Sequence, residues 1–362
     1  NILKVPDYHE YQSILKVSDV LKSCVKTVDN VNVFENAGGY KLLHDRLSTE
    51  LEYGLATKDQ FKHIKYYSEV YFTLSFRQVC FIRSLLKHIL KVIDIDTNDK
   101  IRNFMDSNML TTLNVLLLNR HDFGFTLISY VLDIVQVLLN KDPTIYQVLQ
   151  EAGTIDIIID NFADYLGPWT NLLLTLPQLV SALCLNKTAL KKIKESNIIK
   201  LLFQPYRDAK LASVLIKYME SEYGENLDEL YRYHPDLQEM MTNEFAQAIN
   251  SLDVKYDQEL VMTPLKGDLF GQSSGTFEGT PTCDDYSFDA TDSGMLIRFA
   301  FLSLYGCEWS DLNRKLDCTS IIKKIYNEKT PATFLKSDTQ VSVIDVLKSS
   351  EFFDFKEVFG VF

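Results

Sequence analysis

The residues able to do chemistry are scattered through this sequence. Its six histidines, His9, His44, His63, His88, His121 and His234, never fall three or four residues apart, the spacing that sets two ligands on one helix face. No metal site is expected. The six cysteines, Cys24, Cys80, Cys184, Cys283, Cys307 and Cys318, include no CxxC pair, so they read as reduced thiols rather than a disulfide framework or a zinc site. That usage suits a cytoplasmic or nuclear protein. Cys80 and Cys184 lie within apolar helical patterns and are expected to be buried and structural. His234, in Tyr231-Arg232-Tyr233-His234-Pro235, precedes a proline that drives it out of helical geometry, and is read as a helix-end residue capping carbonyls rather than a base. Asp133, Asp156 and Asp160 are residue types that could pair for acid–base work, but their setting assigns them to the solvated faces of amphipathic helices. Phosphate-binding, nucleophile-elbow, zinc-protease and dinucleotide motifs (GxxxxGK followed by Ser or Thr, GxSxG, HExxH, GxGxxG) do not occur. Neither a catalytic residue nor a cofactor is expected.

The elements that would carry these residues are helices. From Ser68 to Ile93, Val79, Ile82, Leu86, Ile89 and Ile93 recur at three- and four-residue steps, with Arg83, Lys87 and Lys91 opposite. Similar patterns cover 110–118, 124–140, 143–150, 154–166, 169–185, 187–194, 209–223 and 241–252, while strand alternation is scarce. Four of the intervening turns resemble one another, with Gly38, Asn108, Gly153 and Asn197 each placed between one helix end and a fresh apolar helix. A left-handed residue there ends a helix with little strain. The steps from Asn108 to Gly153 and from Gly153 to Asn197 are 45 and 44 residues, inside the period of about 40–47 typical of armadillo and HEAT repeats. The expected fold is therefore all-α, an armadillo/HEAT-like helical-repeat solenoid.

Residues 257–294 interrupt the pattern. From Asp257 to Asp292 there are eight acidic residues and one Lys, which predicts an acidic flexible loop between repeats at 1–256 and continuing helical repeats at 295–362. Asp284, Asp285, Asp289 and Asp292 are the residues of that loop expected to attract basic partners. Across the chain 37 Lys and Arg stand against 49 Asp and Glu, a net charge of −12 without a basic cluster, which argues against direct binding of nucleic acid. The longest apolar stretch, 123–139, contains Asp133 and Gln136 and falls short of the roughly 20 residues that span a bilayer. Because residue 1 is Asn rather than Met, the chain is treated as a candidate fragment of a larger protein. A stack of helices without chemical motifs presents one product, a long surface for protein partners.

Three segments carry a family resemblance. Ile101-Arg102-Asn103-Phe104-Met105-Asp106-Ser107, Tyr146-Gln147-Val148-Leu149-Gln150-Glu151-Ala152-Gly153 and Leu176-Pro177-Gln178-Leu179-Val180-Ser181-Ala182-Leu183-Cys184-Leu185-Asn186 resemble the N-terminal region of the giant Mule-type HECT ubiquitin ligases. Asp228-Glu229-Leu230-Tyr231-Arg232-Tyr233-His234-Pro235-Asp236-Leu237 resembles the family's helix ahead of an acidic insertion. The likeness is good over 30–250. It implies an armadillo-like part of a large ring that presents substrates to a C-terminal HECT domain, with the catalytic cysteine outside this chain. The resemblance thus implies a non-catalytic, substrate-recruiting scaffold, bound in cis to the remainder of the ligase. The alternative is a free-standing armadillo adaptor for transport or signalling, which usually shows ladders of Asn and Trp; this sequence has only Trp169 and Trp309. Within the third segment, Pro177 is expected to start a helix and Asn186 to cap its C-terminus.

Overall fold

The computed structural model describes residues 22–61, 76–96, 108–218 and 220–250, together with residues 16, 20, 74, 296 and 299. Every element among them is helical, and no strand occurs. The chain divides into two compact units, Asn1–Ile198 and Ile199–Phe362.

In the first unit, α1 (Val28–Asn36), α2 (Gly39–Phe61) and α3 (Phe76–Ile95) are followed by α4 (Met109–Leu118), a short α5 (Arg120–Phe123) and α6 (Phe125–Lys141). Next come α7 (Ile145–Glu151), α8 (Thr154–Asp160), a 3-10 turn at Phe162–Tyr165, α9 (Thr170–Cys184) and α10 (Lys187–Glu195). Packing sorts these into layers. α3 packs on α6 and α6 on α9, while α2 packs on α4 and α4 on α8. Corresponding helices of successive repeats therefore lie side by side, as a helical-repeat fold requires.

The turns explain the register. Gly38, Asn108 and Gly153 all have positive φ, at 74°, 57° and 78°, so three of the four expected left-handed turns are present. Asn197 is the exception. There Ser196 adopts extended geometry (φ −96°, ψ 174°), its Oγ donates to Ile193 O at 2.8 Å, and the Ile198 N–H donates back to Oγ at 3.3 Å. A hydroxyl turn replaces the left-handed residue. A second repeated device was not anticipated: the Asn119 side chain donates to Val115 O at the end of α4 (2.9 Å), and Asn161 donates to Ile157 O at the end of α8 (2.7 Å). Each closes the last turn of its helix.

Two expectations about the third segment are corrected. α9 begins at Thr170, and Pro177 lies inside it. Leu172, Leu173, Leu176, Leu179, Val180 and Leu183 are all fully buried, and at about 1.5–3 kcal/mol each their burial outweighs the roughly 3 kcal/mol lost to an interior proline. Asn186 caps the next helix rather than this one: its side chain accepts from Thr188 N (2.8 Å) and Ala189 N (3.4 Å) at the start of α10. Asparagine is a better N-cap than C-cap unless it turns left-handed, and its φ of −98° is not. The expected helix 154–166 divides into α8 and the 3-10 turn, and 209–223 into two helices.

The second unit includes a 3-10 turn at Gln204–Tyr206, α12 (Ala209–Tyr218), α13 (Glu220–Tyr233), a 3-10 turn at Pro235–Leu237 and α14 (Gln238–Asn250), with α11 (Ile198–Leu202) at the junction of the units. Its core is aromatic. Tyr206 stacks edge-on against Phe245 (5.1 Å) and lies 4.8 Å from Phe299, which is fully buried and also meets Tyr223 (6.0 Å). His234 is buried and stands between the end of α13 and the Pro235–Leu237 turn, out of helical geometry (φ −125°, ψ 80°) as a residue before proline is expected to be. The stretch 257–294 lies outside the described residues.

Two outcomes follow from this packing. Leu183→Ala should lower unfolding stability by roughly 2–5 kcal/mol through the cavity it leaves, and an unchanged urea midpoint would remove α9 from the core. His88 is 1% exposed between α1 and α3, and burial, then the charges of Lys91 and Lys22, lower its pKa to about 4. The unfolded chain therefore binds the imidazole proton first, and stability should fall as pH drops from about 6.5 to about 4. His88→Leu should flatten that stretch of the stability–pH curve; an identical slope in the variant would show that His88 does not titrate differently on folding.

Candidate functional surface

The α3–α6–α9 layer buries its helices on most sides but leaves one stripe of each in reach of solvent. On α6 that stripe is Thr126, Tyr130, Asp133, Val137 and Asn140, at the spacing of one helical face. Arg83 and Lys87 continue it on α3, and Asn171, Gln178 and Ser181 on α9.

Side chains are locked together across the helices. Lys87 Nζ lies over the Tyr130 ring, 5.4 Å from its centre. Thr175 Oγ1 donates to Asp133 Oδ1 at 2.8 Å, and Gln136 Nε2 donates to Gln178 Oε1 at 3.3 Å, both pairs separated by 42 residues. Equal offsets three residues apart mean that α6 and α9 run parallel and in register. The sequence reading missed this ladder, whose signal is a polar residue recurring at the repeat period inside otherwise apolar helices.

The opposite layer carries a buried counterpart. Asn114 on α4 accepts from Thr154 Oγ1 (2.8 Å) and donates to Ala152 O (2.9 Å), which ties α4 to the turn before α8. At the N-terminal end of α6 and α9, Arg120 forms an ion pair with Asp164, and Phe125 stacks on Trp169 at 4.1 Å. A Cβ on Gly167 would lie 1.7 Å from the Trp169 ring, so glycine is required beneath that indole. Lys141 reaches back to the carbonyls of Asp94 (2.5 Å) and Asp96 (2.9 Å) at the end of α3.

Among the described residues the sequence candidates for chemistry are not assembled into a centre. Asp133 pairs with Thr175, while Asp156, its side chain half exposed, pairs with Lys192 at 2.9 Å and accepts from Gln150 at 2.6 Å; Asp160 is exposed as expected. Asp133 and Asp156 are thus partnered across helices, not simply solvated. His44 meets Asp45 and His121 meets Asp164 (3.6 Å), whereas His9 and His63 lie outside the described residues. Among the described residues no group of His, Cys, Asp or Glu is arranged to hold a metal ion, and no helix is long and apolar enough to cross a membrane. Asp284, Asp285, Asp289 and Asp292 lie outside the described residues, as do Cys283, Cys307 and Cys318. Burial raises the Cys184 thiol to about 12 and pushes the phenols of Tyr165, Tyr40 and Tyr223 up, with the Asp96 carboxylate hydrogen-bonded to Tyr40 adding to its shift, so these groups stay protonated. Cys80 is half-buried and Cys24 exposed.

A maleimide at neutral pH should therefore label Cys24 within minutes and leave Cys184 untouched until denaturant is added. Equal labelling of the two thiols in the native protein, read by peptide mass mapping, would contradict the buried assignment.

A designed armadillo repeat protein, YIII(Dq)4CqI, aligns over 71% of this chain and 92% of its own, with a TM-score of 0.45 and 15% identity. The probable E3 ubiquitin-protein ligase TOM1 of Eremothecium gossypii is 33% identical over 349 residues, and the E3 ubiquitin-protein ligase TOM1 of Saccharomyces cerevisiae 32% over 348, each across 93% of this chain. The mouse E3 ubiquitin-protein ligase HUWE1 is 25% identical over 186 residues, 49% of this chain and 4% of that protein. The chain spans 11% of the length of the two TOM1 ligases. These relatives agree with the resemblance to the Mule-type ligases. The family model described as a domain of unknown function, DUF913, matches residues 15–259, and the chain belongs to that family.

Proposed function

We propose that this chain is a non-catalytic, partner-recruiting segment of a ubiquitin ligase, and that the α3–α6–α9 face is its recruiting surface. The observation that carries the reading is the ladder on that face. Tyr130, Asp133, Gln136, Thr175 and Gln178 are half-buried or buried, are tied across α6 and α9 or to Lys87, and so are ordered before a partner arrives. Preordered polar and aromatic side chains lose little entropy on binding, which favours affinity at modest area. The other half of the reading comes from the relatives, which are E3 ubiquitin ligases far longer than this chain.

Partners on this reading are protein substrates, basic ones included, and the remainder of the ligase in cis. The acidic stretch with Asp284, Asp285, Asp289 and Asp292 would steer basic substrates electrostatically rather than hold them. The dispersed thiols are consistent with a reducing compartment, the cytoplasm or nucleus.

The test is made in the whole ligase. Substituting Tyr130, Asn171 and Gln178 together by Ala should reduce ubiquitin transfer to a basic substrate such as a histone at least fivefold, while loading of ubiquitin onto the catalytic cysteine is unchanged. Loss of loading, or a ubiquitin thioester on Cys24 or Cys184 of this chain alone, would overturn the non-catalytic assignment; unchanged transfer would remove the α3–α6–α9 face as the recruiting surface.

A further inference from the structure

Several carboxylates in this protein have a cation as partner, from the same helix or from a neighbouring one. Glu50 is paired with Arg46, Asp164 with Arg120, Asp156 with Lys192, Asp228 with Arg232 and Glu244 with Arg207. Asp133 differs. It is half-buried at the middle of α6, and its one hydrogen bond among the described residues comes from the Thr175 hydroxyl to Oδ1, at 2.8 Å. Oδ2 receives no donor from any described residue, and no Lys, Arg or His among them reaches ion-pair distance. The Thr175 proton is itself contested, since Asn171 O stands 3.0 Å from the same Oγ1. Desolvation raises the Asp133 pKa, and the Thr175 hydrogen bond offsets it only in part. An ion so placed is stabilised most by an opposite charge.

The surroundings of Asp133 suit a side chain arriving from solvent. Tyr130 precedes it by three residues on the same stripe, Gln136 follows by three, and Gln178 closes the far side on α9. The charge on the face is graded. α3 presents Arg83 and Lys87, α6 presents Asp133, and α9 presents the neutral Asn171 and Gln178. An extended segment crossing the three helices would meet positive, then negative, then neutral groups. Neighbouring helix axes are about 8–10 Å apart, and an extended chain advances about 3.3 Å per residue. Groups meeting α3 and α6 would then be about three residues apart.

We propose that Asp133 receives the lysine or arginine side chain of an extended segment of a protein partner, with an acidic residue of that segment about three positions away facing Arg83 and Lys87. This rests on the recruiting face described above and specifies what the face selects. Mixed charge, not uniform basicity, is the requirement, because Arg83 and Lys87 would repel a run of cations.

The experiment uses the full 362-residue chain and a displayed library of random nonapeptides. Selection on the parent should enrich peptides with Lys or Arg about three residues from Asp or Glu. Synthetic copies of the enriched peptides should bind Asp133→Asn at least tenfold more weakly, while Asp133→Asn melts at or above the parent temperature, since the amide still accepts from Thr175 and no longer buries a charge. Enriched peptides that lack the charge pair, or that bind Asp133→Asn as tightly as the parent, overturn the proposal. If those peptides are still weakened by Tyr130→Ala with Gln178→Ala, the recruiting face survives and the charge assignment alone fails. Peptides indifferent to all these substitutions, or no enrichment at all, sink both. A lowered melting temperature of Asp133→Asn together with unchanged binding would mark Asp133 as purely structural.

Discussion

The first unit depends on the burial of α6 between α3 and α9. Leu127, Ile128, Val131, Leu132, Ile134, Val135 and Leu138 are fully buried, and they point to more than one side of the helix. No single neighbour could cover them. A helix apolar over so much of its surface is soluble only inside a stack, so the repeats cannot fold as separate pieces and must stabilise one another through nearest-neighbour contacts. The glycine and asparagine turns, the helix lengths and the parallel register all follow from presenting each repeat to the next in the same orientation.

Polar groups obey the same periodicity. Asn114 with Thr154, Arg120 with Asp164, Asp133 with Thr175 and Gln136 with Gln178 are separated by 40, 44, 42 and 42 residues, close to one repeat in each case. Each pair ties one repeat to the next. Apolar burial supplies most of the free energy but little direction, whereas a hydrogen bond between specified positions penalises a slipped register by leaving a buried donor or acceptor without its partner. Asn114 is the clearest case, since a slip would strand both ends of its amide among buried residues. The two layers therefore divide the labour: α2, α4 and α8 hold their polar ladder inside, and α3, α6 and α9 hold theirs at the surface.

Much of this was legible in the sequence, for reasons particular residues make plain. Helical periodicity located α4, α6, α7, α9 and α10 closely, and the end of α3, because apolar spacing is dictated by burial and α-helical geometry leaves little freedom. Gly38, Asn108 and Gly153 were readable because a left-handed backbone restricts residue choice. Asn197 misled because Ser196 turns the chain with its hydroxyl, and local turn chemistry has several solutions. Pro177 misled because its usual meaning, the start of a helix, is a local preference, and the burial of the leucines around it is a tertiary effect that overrides it. Asn186 misled because one residue sits between two helices and its side chain serves only the second.

The polar ladder of α6 and α9 was not legible for a deeper reason. Its partners are one repeat apart in sequence, so Asp133 and Thr175 look like unrelated polar residues within apolar runs until the helices are stacked. Sequence reading placed Asp133 on a solvated face by its period, which located the stripe correctly but overlooked the neighbouring helix that removes much of the water. Chemistry in a repeat protein of this kind comes from the interval between repeats rather than from any local motif. That is also why four of the shifted groups, His88, Cys184, Tyr165 and Asp133, lie on separate elements and owe their shifts first to burial. Isolated groups, each shifted by its own burial, are what the packing of stacked helices produces.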